Sequence, residues 1–168
     1  MSITLDGSNL TTTGVINSGT AQNSTSGTSI DFTGIPSGVK RITVMFNEVS
    51  TSGTSAVLIQ IGSGSVTSTG YISTSNSLNQ SNSTSGTSST AGFVTQANDA
   101  TFVRSGAMTL YLVSGSTWVS SHTMKLNTTQ VILGGGSVSL SGSCDRVRIT
   151  TVNGTDTFDA GSINILYE

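Results

Sequence analysis

The single histidine of this 168-residue chain, His122, closes the segment Trp118-Val119-Ser120-Ser121-His122. A histidine near a serine is where nucleophilic catalysis begins: the imidazole takes the hydroxyl proton and a carboxylate orients the imidazole. Serine is so abundant here that adjacency carries no information, and no Gly-x-Ser-x-Gly elbow occurs. His122 is therefore expected as an exposed strand residue. Glycoside cleavage would need two carboxylates flanking a cleft, one of them in an apolar pocket that raises its pKa. The acids are Asp6, Asp31, Glu48, Asp99, Asp145, Asp156, Asp159 and Glu168. Most sit beside Gly, Asn or Thr, where turn capping explains them. Glu48 alone lies close to a strand-like run. No catalytic residue is assigned, and the chain is not expected to be an enzyme.

Asn153, Asp156 and Asp159 crowd one seven-residue stretch, Asn153-Gly154-Thr155-Asp156-Thr157-Phe158-Asp159. A hard cation such as Ca²⁺ prefers such oxygen ligands, but the spacing matches no EF-hand loop. Asx-turns are the expected role, with cation binding left open. Cys144 is the one cysteine, so no intrachain disulfide forms, and with one histidine it cannot build a structural zinc site. It is either a buried small hydrophobe or an inert surface thiol. Gly62-Ser63-Gly64 and Gly134-Gly135-Gly136 follow strand-like runs and open no helix, so they cradle no phosphate. No metal or cofactor is expected. Tyr71 and Trp118 lie next to loops and could stack on a sugar face, with Asn76, Asn79 and Asn82 supplying amides nearby; core or rim packing is the commoner role for such aromatics.

The elements that must position these groups are strands. Period-2 alternation places Ile42, Val44 and Phe46 on one face, then Val57, Ile59 and Ile61, then Met108, Leu110 and Leu112. Val138-Ser139-Leu140 reads as a short strand. Arg146-Val147-Arg148-Ile149-Thr150 points Val147 and Ile149 inward and both arginines outward. Ile163-Asn164-Ile165-Leu166-Tyr167 closes the chain. Weaker strands are expected at residues 30–32, 71–73, 93–95 and 118–126. Helical stripes are absent. Asn153-Gly154 signals a tight turn and Ile35-Pro36-Ser37-Gly38 a second one. Thr-Ser-Gly-Thr-Ser recurs at Thr25, Thr51 and Thr84 with unequal spacing, which reads as reused turn chemistry and not a solenoid. Residues 73–91 are nearly all Ser, Thr, Asn and Gly and read as a long surface loop.

Together these predict an all-β, antiparallel, jelly-roll-like β-sandwich over residues 29–168. Residues 1–28 are expected as an extended N-terminal arm, with Ile3, Leu5, Leu10, Val15 and Ile16 as anchors that pair with a neighbour. About a third of the chain is Ser or Thr, while hydrophobic residues make up 34%. A core is possible but thin, and subunit contacts are expected to supply the missing burial. Six basic residues against eight acidic ones, net charge −2, exclude a phosphate-tracking surface and nucleic-acid binding. The N-terminus lacks a basic n-region and an apolar h-region, so no signal peptide is expected. No apolar run approaches the ~18 residues of a transmembrane helix, and no membrane insertion is expected. A hydroxyl-covered, uncharged β surface made without a secretory signal fits a phage structural protein, assembled in the bacterial cytoplasm and exposed on the virion.

Two segments carry a resemblance. Residues 32–46, with Ile35-Pro36-Ser37-Gly38 and Arg41-Ile42-Thr43-Val44-Met45-Phe46, followed by Val49-Ser50-Thr51-Ser52-Gly53-Thr54-Ser55, are similar to the opening of a C-terminal module of tailed-phage and prophage fibre-like proteins. Residues 145–168, with Val152-Asn153-Gly154-Thr155 and Asp159-Ala160-Gly161, resemble its closing hairpin. Gly70-Tyr71 and Thr90-Ala91-Gly92-Phe93 fit as well. The resemblance covers residues 29–168 and implies a virion protein, a homotrimer of β-sandwich domains with no catalytic residues to transfer. Fibres of that family carry a shaft and adaptor before the tip, and residues 1–28 are too short for both. Three functions follow as expectations: a tail-fibre receptor-binding module that touches host surface polysaccharide, a capsid decoration (cement) or head-fibre protein that contacts other virion proteins, and, most remotely, a capsule depolymerase.

Overall fold

The computed structural model describes residues 16–96 and 99–168. Among them are fourteen strands and no helix. In chain order these are β1 (Asn17–Ser18), β2 (Gln22–Asn23), β3 (Ser29–Thr33), β4 (Arg41–Thr51), β5 (Val57–Ser63), β6 (Ser65–Val66), β7 (Ile72–Asn79), β8 (Thr84–Ser89), β9 (Phe93–Thr95), β10 (Arg104–Ser114), β11 (Thr117–Lys125), β12 (Gln130–Ser139), β13 (Arg146–Thr151) and β14 (Phe158–Tyr167). Nine form one sheet in the order β1-β14-β4-β10-β11-β12-β7-β8, with β2 also on β14. Five form the second, β3-β13-β5-β6, with β9 also on β5. Every pairing is antiparallel, and the two sheets pack as the expected β-sandwich.

The alternation read from the sequence is the one that builds the core. Ile42, Val44, Val57, Ile59, Ile61, Met108, Leu110, Val147 and Ile149 are fully buried. Arg146 and Arg148 face outward and pair with Asp145 and Asp31. β5 is buried on both sides, because Leu58 packs with Ala56 and Val94, and Gln60 donates to the Ala91 carbonyl at 2.8 Å. Tyr167 stays half-buried at the rim of the core.

Residues 73–91 correct the expected loop. They form most of the β7–β8 hairpin, whose tip is Gln80 to Ser83. Ser73, Ser75 and Ser77 face the interior, where alternation normally places apolar residues. The reason lies in the opposite sheet. β9 pairs with β5 along one edge only, and an unpaired edge in the interior leaves backbone N–H groups without partners. Val94 N–H donates to Ser73 Oγ at 2.9 Å and Gln96 N–H donates to Ser75 Oγ at 3.0 Å. Ser73 and Ser75 cap that edge, and Ser77 Oγ donates to the Ser85 carbonyl of β8.

The glycine cluster is also placed differently. Gly134-Gly135-Gly136 lies inside β12, which runs over ten residues instead of a short strand at Val138. A Cβ on Gly134 would sit 2.6 Å from His122 Cε1, so only glycine lets the imidazole lie across this strand. The first two Thr-Ser-Gly-Thr-Ser copies supply connections, before β3 and after β4, whereas the third is β8 itself.

Of the arm, Ile3, Leu5, Leu10 and Val15 lie outside the described residues. Ile16 is exposed. β1 and β2 pair with β14 of the same chain, and Ser24 N–H donates to the Gly161 carbonyl. The described part of the arm is therefore an edge of the large sheet.

Candidate functional site

Strand polarity sorts the loops into two ends. Arg41 pairs with Tyr111 and Val49 with Arg104, so one end carries the start of β4 and the close of β10, and the other their opposites. The first end holds Ile16, the Tyr167–Glu168 terminus and the β10–β11 turn. There Arg41 reaches Glu168 at 2.5 Å. The second end holds the β7–β8 tip, the β11–β12 connection, the β4–β5 connection and the Asn153-Gly154 turn. With nine-residue β11 as ruler, the ends are ~30 Å apart. The described part of the arm thus begins, at Ile16, opposite the Ser-, Thr- and Asn-rich loops.

Between the β7–β8 tip and the β11–β12 connection lies a shallow cleft of about 520 Å³. Leu78 and Val131, cross-strand partners, form its apolar side, and Gln80, Asn127, Thr128 and Gln130 supply polar groups. Asn79 holds the tip together: its Oδ1 accepts from Ser81 N–H and Ser83 N–H, both at 3.0 Å. Asn82 takes a left-handed φ of 62°, a conformation asparagine tolerates better than most residues. Asn127 Oδ1 likewise accepts from Thr129 N–H at 2.7 Å. These amides shape the loops first, and the side chains of Gln80, Thr128 and Gln130 make no hydrogen bond among the described residues. The sequence missed Gln80 and Gln130, because nothing in their local pattern tells that two connections meet in space.

Of the five residues proposed for glycan contact, the structure gathers Asn79 and Asn82 at this tip. Asn76 is exposed on the outer sheet face beside Leu133. Tyr71 and Trp118 are corrected: each is 1% exposed. The Tyr71 hydroxyl donates to the Ile61 carbonyl and accepts from its N–H, and the ring packs edge-on against Phe93 at 5.0 Å. Burial holds the phenol protonated, its pKa raised far above the usual value. Trp118 lies on the inward face of β11, with Ser120, His122 and Met124, and reaches no solvent-borne sugar.

His122 is not exposed but 5% accessible, and its Nε2 lies 3.0 Å from Ser75 Oγ. Nothing local along the chain signals this pair, since Ser75 is 47 residues away. Burial pushes the imidazole pKa down to about 4, so it is neutral at pH 7. Its Nδ1 has no hydrogen-bond partner among the described residues, and Ser75 Oγ is already held by Gln96 N–H. Without an orienting acid or access to solvent, the pair is structural.

The acids resolve into turn chemistry and ion pairs. Glu48 accepts from Lys125 Nζ at 2.9 Å and Ser105 Oγ at 2.7 Å. The hydrogen bond from Lys125, then that from Ser105, holds its carboxyl below the usual range, the opposite of a general acid. Asn153 Oδ1 accepts from Thr155 N–H and Asp156 N–H, the expected Asx-turn. Asp156 accepts from Ser55 N–H and Asn153 Nδ2, and Ser50 Oγ donates to Asp159. Their oxygens staple the β4–β5 connection to the β13–β14 turn. Among the described residues no three His, Cys, Asp or Glu side chains gather as a metal site. Cys144 is buried, and burial raises its thiol pKa, so of its two readings the small hydrophobe holds.

No family model matches this chain, and neither does a curated protein or a solved structure.

Proposed function

We propose that this protein is a phage virion structural protein exposed on the particle surface, a homotrimeric receptor-binding module of the tail-fibre type. Strand polarity carries the reading. An arm that enters at one end of a rigid sandwich leaves the opposite end, ~30 Å away, free to meet the host. That far end is built from Ser, Thr, Asn and Gln loops, which suit a neutral, hydroxyl-rich polysaccharide. The outer face of the large sheet supports oligomerisation. Leu78, Val131 and Leu133 form one exposed apolar cluster there, and Tyr111 and Val113 another. Such patches on a sparingly charged surface favour subunit contact. The Ser75–His122 pair, buried and without an acid, supports a non-catalytic role.

The same polarity would serve a capsid decoration protein whose arm lies on the head. Gold-conjugated antibody on intact virions separates the two readings. Gold on the tail is the expected result, gold over the head selects decoration, and label on neither, with the epitope shown accessible, overturns the virion assignment.

A further inference from the structure

A second cleft, of about 360 Å³, opens on the side of the sandwich, where the two sheets part between the arm and β3. Its apolar lining comes from Phe32, Ile35 and Ile165, all nearly buried, with Tyr167 at the rim. Gln22, Thr20, Asp31 and Thr33 supply the polar part. Gln22 Nε2 donates to the Asp31 carbonyl at 2.7 Å, which fixes the amide and leaves Oε1 unbonded among the described residues. The Asp31 carboxylate is held by Arg148 through two bonds, 2.7 and 2.9 Å, and each oxygen retains a lone pair. The hydroxyls of Thr20, Thr33 and Tyr167 bond to nothing among the described residues.

We infer that this lateral cleft is a saccharide-binding site, taking one or two neutral sugar units. A half-buried tyrosine ring over an apolar floor suits the C–H face of a pyranose, and the unbonded hydroxyls of Thr20, Thr33 and Tyr167 with the Gln22 Oε1 suit its hydroxyls. The volume falls at the lower end of the ~300–1,000 Å³ of small-ligand sites. A peptide strand fits less well. β3 is the edge of its sheet, but Gln22 already occupies the carbonyl that strand addition at Asp31 would use. The cleft is built by β3, the arm and β14, away from the β7–β8 tip, so it stands apart from the receptor surface proposed above and needs no virion location.

The test is a titration of the full chain with glucose, galactose, N-acetylglucosamine and maltose, followed by backbone amide NMR shifts. Saturable shifts confined to residues 19–22, 31–35 and 165–167 with at least one of these sugars are expected. Tyr167→Ala should weaken binding by ~10-fold or more, and Gln22→Ala should weaken it too, while Ser121→Ala, exposed on the outer face of β11, changes nothing. Tyr167→Phe, which keeps the ring, covers the case in which the alanine variant fails to fold and should lose only a few-fold. Absence of saturable shifts with all four sugars overturns the inference. So do shifts at the far loops alone, unaltered affinity in the cleft variants, or shifts at the cleft that follow protein concentration, which would place a second copy there.

Discussion

Acidification from pH 7 to pH 4 tests the reading of the interior through one residue. His122 is neutral in the folded chain, with its pKa pushed down to about 4 by burial. In the unfolded chain the ordinary value of 6.5 applies. A depressed histidine pKa means that, as pH falls below 6.5, the unfolded state takes up the proton first. Stability from the neutral imidazole is therefore complete above 6.5, falls through the interval, and is gone once pH drops below 4. The gap of about 2.5 units at ~1.4 kcal/mol each gives a loss of ~3 kcal/mol. That is a large part of the ~5–15 kcal/mol that holds a domain folded. The assay is urea unfolding at several pH values and one protein concentration, comparing the natural chain with His122→Gln. Paired carboxylates such as Glu48 and Asp145, whose pKa values are lowered by Lys125 and Arg146, lose stabilisation at lower pH in both proteins and cancel in the difference. The stability advantage of the natural chain over the variant should shrink by ~3 kcal/mol between pH 7 and pH 4. A difference that does not change with pH, or an NMR titration of native His122 with its midpoint near 6.5, would refute the burial argument.

Ser75→Ala removes the acceptor of Gln96 N–H and the partner of His122 together, and should cost ~1–3 kcal/mol in the same urea assay; a neutral result would mean that the β9 edge is satisfied in another way. Arg104 is 1% exposed with no hydrogen-bond partner for any guanidinium nitrogen among the described residues, and desolvation lowers its pKa to about 10. Arg104→Met should therefore raise stability, by ~1–4 kcal/mol, and a loss would show that the charge is compensated. Leu133→Glu, on the outer face of the large sheet, should leave a monomer in light scattering where the proposed homotrimer is expected of the natural chain, while circular dichroism keeps its β signature; equal masses for the two chains would refute an interface at this face. Gly134→Ala should destabilise measurably by thermal melting, because its Cβ collides with His122 and the β7 backbone. If the melting temperature holds, the strand has room that the packing denies.

The sequence by itself determined the class. Alternation at Ile42-Val44-Phe46, Val57-Ile59-Ile61 and Val147-Ile149 states which faces meet, since side chains on a strand alternate by geometry alone. Turn chemistry at Asn153-Gly154, where Gly154 has a φ of 66°, is equally local and equally legible. Tertiary structure decided everything that depends on what lies opposite a side chain. Residues 73–79 read as loop because serine has no strong local preference for a buried strand, yet an unpaired β9 edge across the interior gives the Ser73 and Ser75 hydroxyls a reason to be there. Tyr71 and Trp118, beside loops in sequence, left core packing and sugar stacking both open, and the second layer that closes the inner face of the large sheet decided for the core. His122 became a buried, neutral group only because Gly134 and Ser75, far apart along the chain, left space and a hydrogen bond. The lateral cleft belongs to the same class: Gln22, Asp31 and Tyr167 come together through sheet order, and no spacing along the chain encodes it.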